Sequence, residues 1–255
     1  MPAHENDLAL LEETVRAAGD IARKFYGGDY KQWNKEGGSP VTEADLAVNK
    51  FLCDVLTAAR PDYGWLSEEN TDDPSRLARR EVFIIDPIDG TIAFLKNRPH
   101  FTICAAIVAE GRPRCGVVYN PISEELYSAQ VGAGAHRNGD IIHVGSRERL
   151  ENCAMLGDRN QFLRAPWPPM HVQNRNSVAY RLVLVADGSA DASVSLTAKR
   201  DWDLAAADVI LHEAGGRLTD ISGAALVYNR PVTKQSSLVA ANPQLHSEIT
   251  ALLRQ

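Results

Sequence analysis

The segment Val82-Phe83-Ile84-Ile85-Asp86-Pro87-Ile88-Asp89-Gly90-Thr91 constrains this chain more than any other stretch. Its four opening residues are apolar and β-favouring, too few for a helix, and read as a buried strand that ends abruptly in two carboxylates. Pro87 fixes its own φ and biases Asp86 toward an extended backbone, while Gly90 permits a sharp turn. The two carboxylates and the Ile88 carbonyl can then converge on one point, the oxygen-rich surrounding that a hard cation such as Mg²⁺ prefers. The same residues also suit a turn whose aspartates cap a following helix, because Asp-Pro and Asp-Gly are frequent turn dipeptides.

Around this strand the chain mixes helical and strand signals. Leu8, Leu11, Val15, Ala18, Ala22 and Phe25 recur at spacings of three and four, which predicts a helix that stops near Gly27 and Gly28. Thr42 followed by Asp45 resembles a capping box, so a second helix should start near residue 42 with Asp45 in its first turn. From Phe101 to Val144, apolar segments alternate with Glu110-Gly111, Asn120-Pro121 and Asn138-Gly139, as in an antiparallel meander. The Pro-rich stretch 165–170 reads as a stiff connector, Ala190 to Leu196 as a strand, and Asp201–Asp203 to Gly215 as a helix. Leu218, Leu226, Val227, Leu238 and Val239 should supply closing strands, and Leu245 to Leu253 a terminal helix. Helices and strands do not alternate strictly, so layered sheets and helices fit better than a barrel. The expected division is an α+β part over 1–150 and an α/β part over 151–255.

Composition excludes several function classes. With 255 residues, 44% hydrophobic and 24% charged, the chain has material for a substantial core. Its net charge of -6, with Lys and Arg dispersed, provides no basic stripe for a nucleic-acid polymer. No stretch approaches the roughly 18 apolar residues that span a bilayer, and Met1 to Asp7 is polar, so no membrane association is expected and the cytoplasm is the expected location. Cys53, Cys104, Cys115 and Cys153 lack C-x-x-C spacing and read as buried or inert thiols. His100, His136, His143 and His212 have no evident Ser or Asp relay.

Glu68-Glu69 follows the run Tyr63 to Leu66 and can stand at a strand end, and Asp203 follows Trp202 at a helix start. In order, W-L-S-E-E, D-P-I-D-G-T and W-D-L-A-A-A-D resemble the three signature motifs of the inositol monophosphatase family. The upstream V-T-E-A-D resembles that family's additional metal-side element. The resemblance implies the layered αβαβα sandwich of the inositol monophosphatase and fructose-1,6-bisphosphatase type, an α/β (α+β) fold. It also implies a homodimer and a phosphoric monoester hydrolase that acts on a small-molecule phosphate ester with two or three Mg²⁺ ions. By the same resemblance, Glu68, Asp86 and the Ile88 carbonyl hold one ion, Asp86, Asp89 and Asp203 a second, and a third, weaker ion lies near Glu68 and Asp45. Gly90 and Thr91 offer amides to the phosphate, and Glu68 and Thr91 orient the attacking water. The family also contains 3'-phosphoadenosine 5'-phosphate nucleotidases and histidinol phosphatases, so membership constrains the reaction more than the substrate. A non-catalytic relative that binds a phosphate ligand or a protein is the other class to be weighed.

The sequence departs from the family pattern in one place that bears on substrate. Inositol-specific members carry a glutamate seven residues before the metal-binding aspartate, and that position is Leu196 here. The same loop offers Lys199 and Arg200, with Arg181 upstream, so a second anionic group could find a partner. A bisphosphate such as 3'-phosphoadenosine 5'-phosphate is slightly favoured over an inositol monophosphate. No site residue is named between Gly157 and Ser177, where the stretch is short and Pro-rich.

Overall fold

A computed structural model of the chain describes residues 6–35, 38–163 and 166–254. Most of the polar N-terminal stretch, residues 1–5, and the first residue of the Pro-rich connector, Ala165, lie outside the described residues.

The first helix, α1 (Asp7–Phe25), buries Leu11, Val15, Ala18 and Ala22 along one face. A short antiparallel ribbon, β1 (Gln32–Asn34) and β2 (Pro40–Thr42), leads into α2 (Glu43–Ala59). Thr42 starts α2 as the sequence predicts: its side chain accepts from Ala44 and Asp45 amides, and the Asp45 carboxylate accepts from the Thr42 amide. Next come β3 (Gly64–Ser67) and β4 (Glu81–Asp89), paired in parallel, then the five-residue helix α3 (Thr91–Leu95). Four strands follow as the expected meander with a short fifth: β5 (Thr102–Ala109), β6 (Arg112–Asn120), β7 (Glu125–Gln130), β8 (Ala135–Arg137) and β9 (Asp140–Ile141). Glu110-Gly111 and Asn138-Gly139 take positive φ at both residues, which matches the twist of two-residue hairpins. Together β3 to β9 make a seven-stranded sheet in chain order.

The remaining strands and α-helices are β10 (Ala154–Leu156), β11 (His171–Gln173), α4 (Val178–Ala186), β12 (Ala192–Ser195), β13 (Lys199–Arg200), α5 (Asp201–Glu213), β14 (Arg217–Thr219), β15 (Lys234–Gln235), β16 (Leu238–Ala241) and α6 (Pro243–Leu253), with single 3-10 turns at Pro74–Ala78 and Arg159–Phe162. Five of these strands form a second sheet in the order β11-β10-β12-β16-β14, while β13 and β15 pair as a separate ribbon.

Burial stacks these parts in five layers. Leu11, Val15, Leu52 and Leu56 from α1 and α2 pack on Phe83, Ile85, Ile103 and Val117 of the first sheet. On its other face, Val82, Ile84 and Cys104 meet α4 and α5 through Leu182, Leu204 and Ile210, and this core continues to Leu156 and Ala240 of the second sheet. Val194, Val239, Leu245 and Ile249 close the outer face against α6. The result is the αβαβα sandwich. Because both faces of β4 are covered, its side chains alternate between two apolar cores, which is why the strand reads as an unbroken apolar run.

Three expectations are corrected. The strand at Val82 does not end at Ile85 but runs through Asp89, with an irregular register against β5 between Asp86 and Asp89. Leu226 and Val227 lie outside any strand, because their carbonyls accept from the Arg112 and Gln235 side chains instead of a sheet ladder. The strand expected over 190–196 is confined to Ala192–Ser195. Among the described residues no helix is long and apolar enough to cross a membrane.

Candidate active site

The irregularity in β4 builds the acidic centre. Asp86 stands opposite Cys104 and Asp89 opposite Thr102, so three steps on β4 match two on β5. One residue is extra, as expected beside Pro87, which has no amide to give the ladder. In an unbroken strand, residues three apart point to opposite faces. Here the extra residue reverses the alternation: Ile84 faces the α4/α5 core, Ile88 faces the α1/α2 core, and Asp86 and Asp89 come to one side. Asp203, in the first turn of α5, completes the group, with one carboxylate oxygen from each residue within 4.8 Å of the others.

Each carboxylate is held by a defined donor. The Ile88 amide donates to Asp86 Oδ1 at 3.1 Å. Asp89 Oδ2 accepts from Ser177 Oγ at 2.6 Å and from the Ala179 amide at 2.7 Å. Asp203 Oδ2 accepts from the Arg200 amide at 2.8 Å. Asp45 is buried, its Oδ2 tied to Thr42, and its Oδ1 lies 3.3 Å from Thr91 Oγ1, which is also 3.2 Å from the Ile88 carbonyl. Glu68 follows β3 directly, and Lys35 bridges it to Glu69 at 3.0 and 2.7 Å.

A cavity of about 420 Å³ joins these groups, lined by Glu68, Asp86, Ile88, Asp89, Gly90, Thr91, Ile92, Asn176, Val178, Arg181, Lys199 and Asp203, with Ser39, Pro40 and Ala198. Gly90 has φ +97°, and a Cβ there would sit 2.9 Å from the Ser177 amide nitrogen, so only glycine fits this turn. The chain thereby enters α3, whose first amides have no intrahelical acceptors.

The electrostatics are those of crowded, desolvated acids. Burial raises Asp86 well above the ordinary carboxylate value, and the charges of Glu68 and Asp89 raise it further. Asp203 is pushed up to about 8 by burial and then by Asp89. Asp89 rises to about 6 through burial, which outweighs its bonds from Ser177 and Ala179, and Asp45 rises to about 6 chiefly through burial. Burial lowers Lys199 and Arg181, against the pull of Asp203 on the former and Asp89 on the latter. The donor set is all carboxylate and carbonyl oxygen, and the carboxylates can all ionise only if something cationic offsets them. A hard divalent cation fits that requirement.

Of the residues singled out from the sequence, Glu68, Asp86, Ile88, Asp89, Gly90, Thr91, Lys199 and Asp203 share this cavity, and Asp45 lies behind Thr91. Arg200 does not line it. Its guanidinium stacks 5.6 Å from the centre of the Trp202 ring and reaches Thr233, in an adjoining groove with Leu66, Asp72 and Val232. In its place Arg181 lines the cavity, its Nε bonded to the Arg175 carbonyl at 2.6 Å and no carboxylate within ion-pair distance among the described residues. Leu196 is exposed and also lies off the cavity. Sequence reasoning missed Asn176, Val178 and the anchoring role of Ser177. The available signal was a serine before the apolar run 178–186, the pattern of a helix cap. A larger cavity of about 540 Å³ beside β11, lined by Phe162, Trp167 and Met170, has no carboxylate among its described lining residues and is separate from this site.

A sequence profile described as "Inositol monophosphatase family" matches residues 4–255. The chain is 32% identical over 237 residues to the 3'(2'),5'-bisphosphate nucleotidase CysQ of Aggregatibacter actinomycetemcomitans, covering 86% of each protein. It is 30% identical to an inositol-1-monophosphatase of Caulobacter vibrioides, covering 96% of this chain and 99% of that one. Its fold superposes on the crystal structure of the extragenic suppressor protein suhB from Bartonella henselae with a TM-score of 0.84 at 27% identity, covering 97% of this chain and 98% of the other.

Proposed function

This chain belongs to the inositol monophosphatase family, and from that premise we propose that it is a Mg²⁺-dependent phosphatase that hydrolyses a small-molecule phosphate monoester by direct attack of water. The observation that carries the reading is the convergence of Asp86, Asp89 and Asp203 in one cavity with Glu68, Thr91 and two basic side chains. Asp86, Asp89, Asp203, the Ile88 carbonyl and Glu68 would hold the cations, two or three in number, with Asp45 nearby. Bound divalent ions would neutralise the phosphoryl oxygens and acidify water at the site.

The remaining roles fall to the chain's own groups. The turn at Gly90 directs the first amides of α3 at the phosphoryl oxygens. Thr91 gives its single hydroxyl proton to Asp45 or to the Ile88 carbonyl, so its lone pairs are left to accept from, and so orient, the attacking water. Glu68, held at the cavity wall by Lys35, supplies the second acceptor for that water. No side chain need be phosphorylated.

For the substrate, Arg181 and Lys199 support a molecule with a second anionic group, such as 3'-phosphoadenosine 5'-phosphate, over an inositol monophosphate. A desolvated guanidinium without a carboxylate partner gains most from an anionic ligand. The test is phosphate release from a panel containing both substrates, with Mg²⁺ and with excess chelator. The bisphosphate should show the higher kcat/KM and chelator should stop both reactions; a clear preference for inositol 1-phosphate would transfer the assignment to that substrate. A divalent-binding chain that released phosphate from no ester would be the non-catalytic relative instead.

A further inference from the structure

Asp89 is anchored from outside its own strand, and one buried hydroxyl organises the anchor. Ser177 is fully buried, and its Oγ has three neighbours: Asp89 Oδ2 at 2.6 Å, the Tyr180 amide at 2.9 Å and Thr102 Oγ1 at 2.9 Å. An ionised Asp89 can only accept, and the Tyr180 amide can only donate. The single Ser177 proton therefore goes to Asp89, and Thr102 must donate to Ser177, which fills both serine lone pairs. Thr102 is also the residue opposite Asp89 in the β4–β5 ladder, so the chain of bonds closes back on the strand that carries the carboxylate. On the other side, Ser177 is the N-cap of α4, and the Arg181 amide bonds back to its carbonyl at 3.4 Å. Among the described residues no hydrogen bond reaches Asp89 Oδ1, so both donors from α4 fall on one oxygen and leave the other for the cavity.

We infer that Ser177 is a positioning residue for the cation site: its hydroxyl fixes which oxygen of Asp89 faces the cavity and ties that carboxylate to the helix that carries Arg181. The inference rests on the metal-dependent reading above and adds to it a residue that does not line the cavity. Without the Ser177 proton, Asp89 keeps only the Ala179 amide and is freer to turn, so it is less ready to ligate. Groups that orient metal ligands in this way typically contribute about 10- to 100-fold to metal affinity.

A residue that merely starts a helix would behave differently, and substitutions separate the two roles. Glycine serves nearly as well as serine at an N-cap but has no hydroxyl, whereas alanine lacks both properties. Mg²⁺ affinity is read by titration calorimetry without substrate, beside the melting temperature in chelator and the Mg²⁺ concentration that half-activates phosphate release. Ser177→Gly and Ser177→Ala should each weaken Mg²⁺ binding by about tenfold or more, with Ser177→Gly melting closer to the unmodified chain, and the half-activating Mg²⁺ concentration should rise in parallel. Ser177→Thr should restore affinity, and Thr102→Val, which spares the bond to Asp89, should weaken it less than Ser177→Gly. Unchanged Mg²⁺ affinity in Ser177→Gly would overturn the inference and leave Ser177 a helix cap. If the unmodified chain took up no divalent ion, the metal-dependent reading would fail, and the inference with it.

Discussion

Asp86 is the acid that the centre can least spare, since it is buried and raised by Glu68 and Asp89 together. Asp86→Asn keeps the shape and the acceptor for the Ile88 amide but removes one negative charge. Mg²⁺-dependent phosphate release should fall below detection while the fold, followed by circular dichroism, persists; substantial turnover in this variant would contradict the assignment. The basic residues make a sharper case, because the structure separates two arginines that adjoin the motif in different ways. Arg181 lines the acidic cavity, whereas Arg200 lies on Trp202 in the next groove. A charge-assisted bond to phosphate contributes roughly 1.5 to 3 kcal/mol, so Arg181→Ala or Lys199→Ala should cost about tenfold or more in kcat/KM on a bisphosphate and little on a monophosphate. Arg200→Ala should leave that ratio unchanged. Equal losses on both substrates would remove the argument for a second anionic group.

Two close approaches between elements set the site. At the first, β4 turns through Gly90 into α3 against the N-terminus of α4, and at the second α5 rests on β6 at Gly116. A Cβ at Gly116 would lie 2.7 Å from the Ala206 carbonyl oxygen and 2.8 Å from its Cα. Those are backbone atoms of the helix that delivers Asp203, so they cannot yield without moving the helix. Gly116→Ala should therefore lower stability by about 1 to 3 kcal/mol, the usual cost of overpacking, and weaken Mg²⁺ binding although residue 116 lies off the cavity. Chemical denaturation with a parallel Mg²⁺ titration reads both; normal affinity in a destabilised variant would mean that α5 absorbs the shift without moving Asp203. The capping box at Thr42 gives a graded comparison. Thr42→Ala removes the acceptor for two amides of α2 and a partner of Asp45, and should cost about 1 kcal/mol.

For the whole molecule the acidic centre should make stability depend on pH and, on the proposed function, on divalent cations. Asp45 and Asp89 are raised to about 6 and Asp203 to about 8, each first by burial, against an unfolded value near 4. Raised acids hold protons in the metal-free fold that the unfolded chain releases. Their contribution is therefore fully present below about pH 4 and is lost as pH rises to about 6 for Asp45 and Asp89 and to about 8 for Asp203. In chelator the melting temperature should fall across that window, and Mg²⁺ should reverse the fall, because cations bind the deprotonated set and release its protons. At a free Mg²⁺ concentration of about 100 times the dissociation constant the gain is roughly 2.7 kcal/mol. A melting temperature in chelator that stays level or rises between pH 6 and 8 would show that these acids are not desolvated as described.

At the same scale, much was legible in the chain alone, because local features carry local signals. The apolar period of α1, the Thr42 capping box, the paired left-handed turns at 110–111 and 138–139, and the carboxylate pair flanking Pro87 each depend on neighbours within a few residues. What the local pattern could not convey was parity and reach. The strand expected to stop at Ile85 continues because β5 supplies a ladder from another part of the chain, and the extra residue between Asp86 and Asp89 shows only in that pairing. Whether Lys199, Arg200 or Arg181 faces the cavity depends on how α4 and α5 pack between the two sheets, and on the pull of Trp202, none of which spacing encodes. Ser177 and Asp89 stand 88 positions apart and meet at 2.6 Å. The amino-acid sequence determined which groups are present and which turns and helices place them locally; the tertiary structure alone decided which oxygens, donors and cations share one desolvated cavity, because burial and long-range packing are properties of the assembled layers.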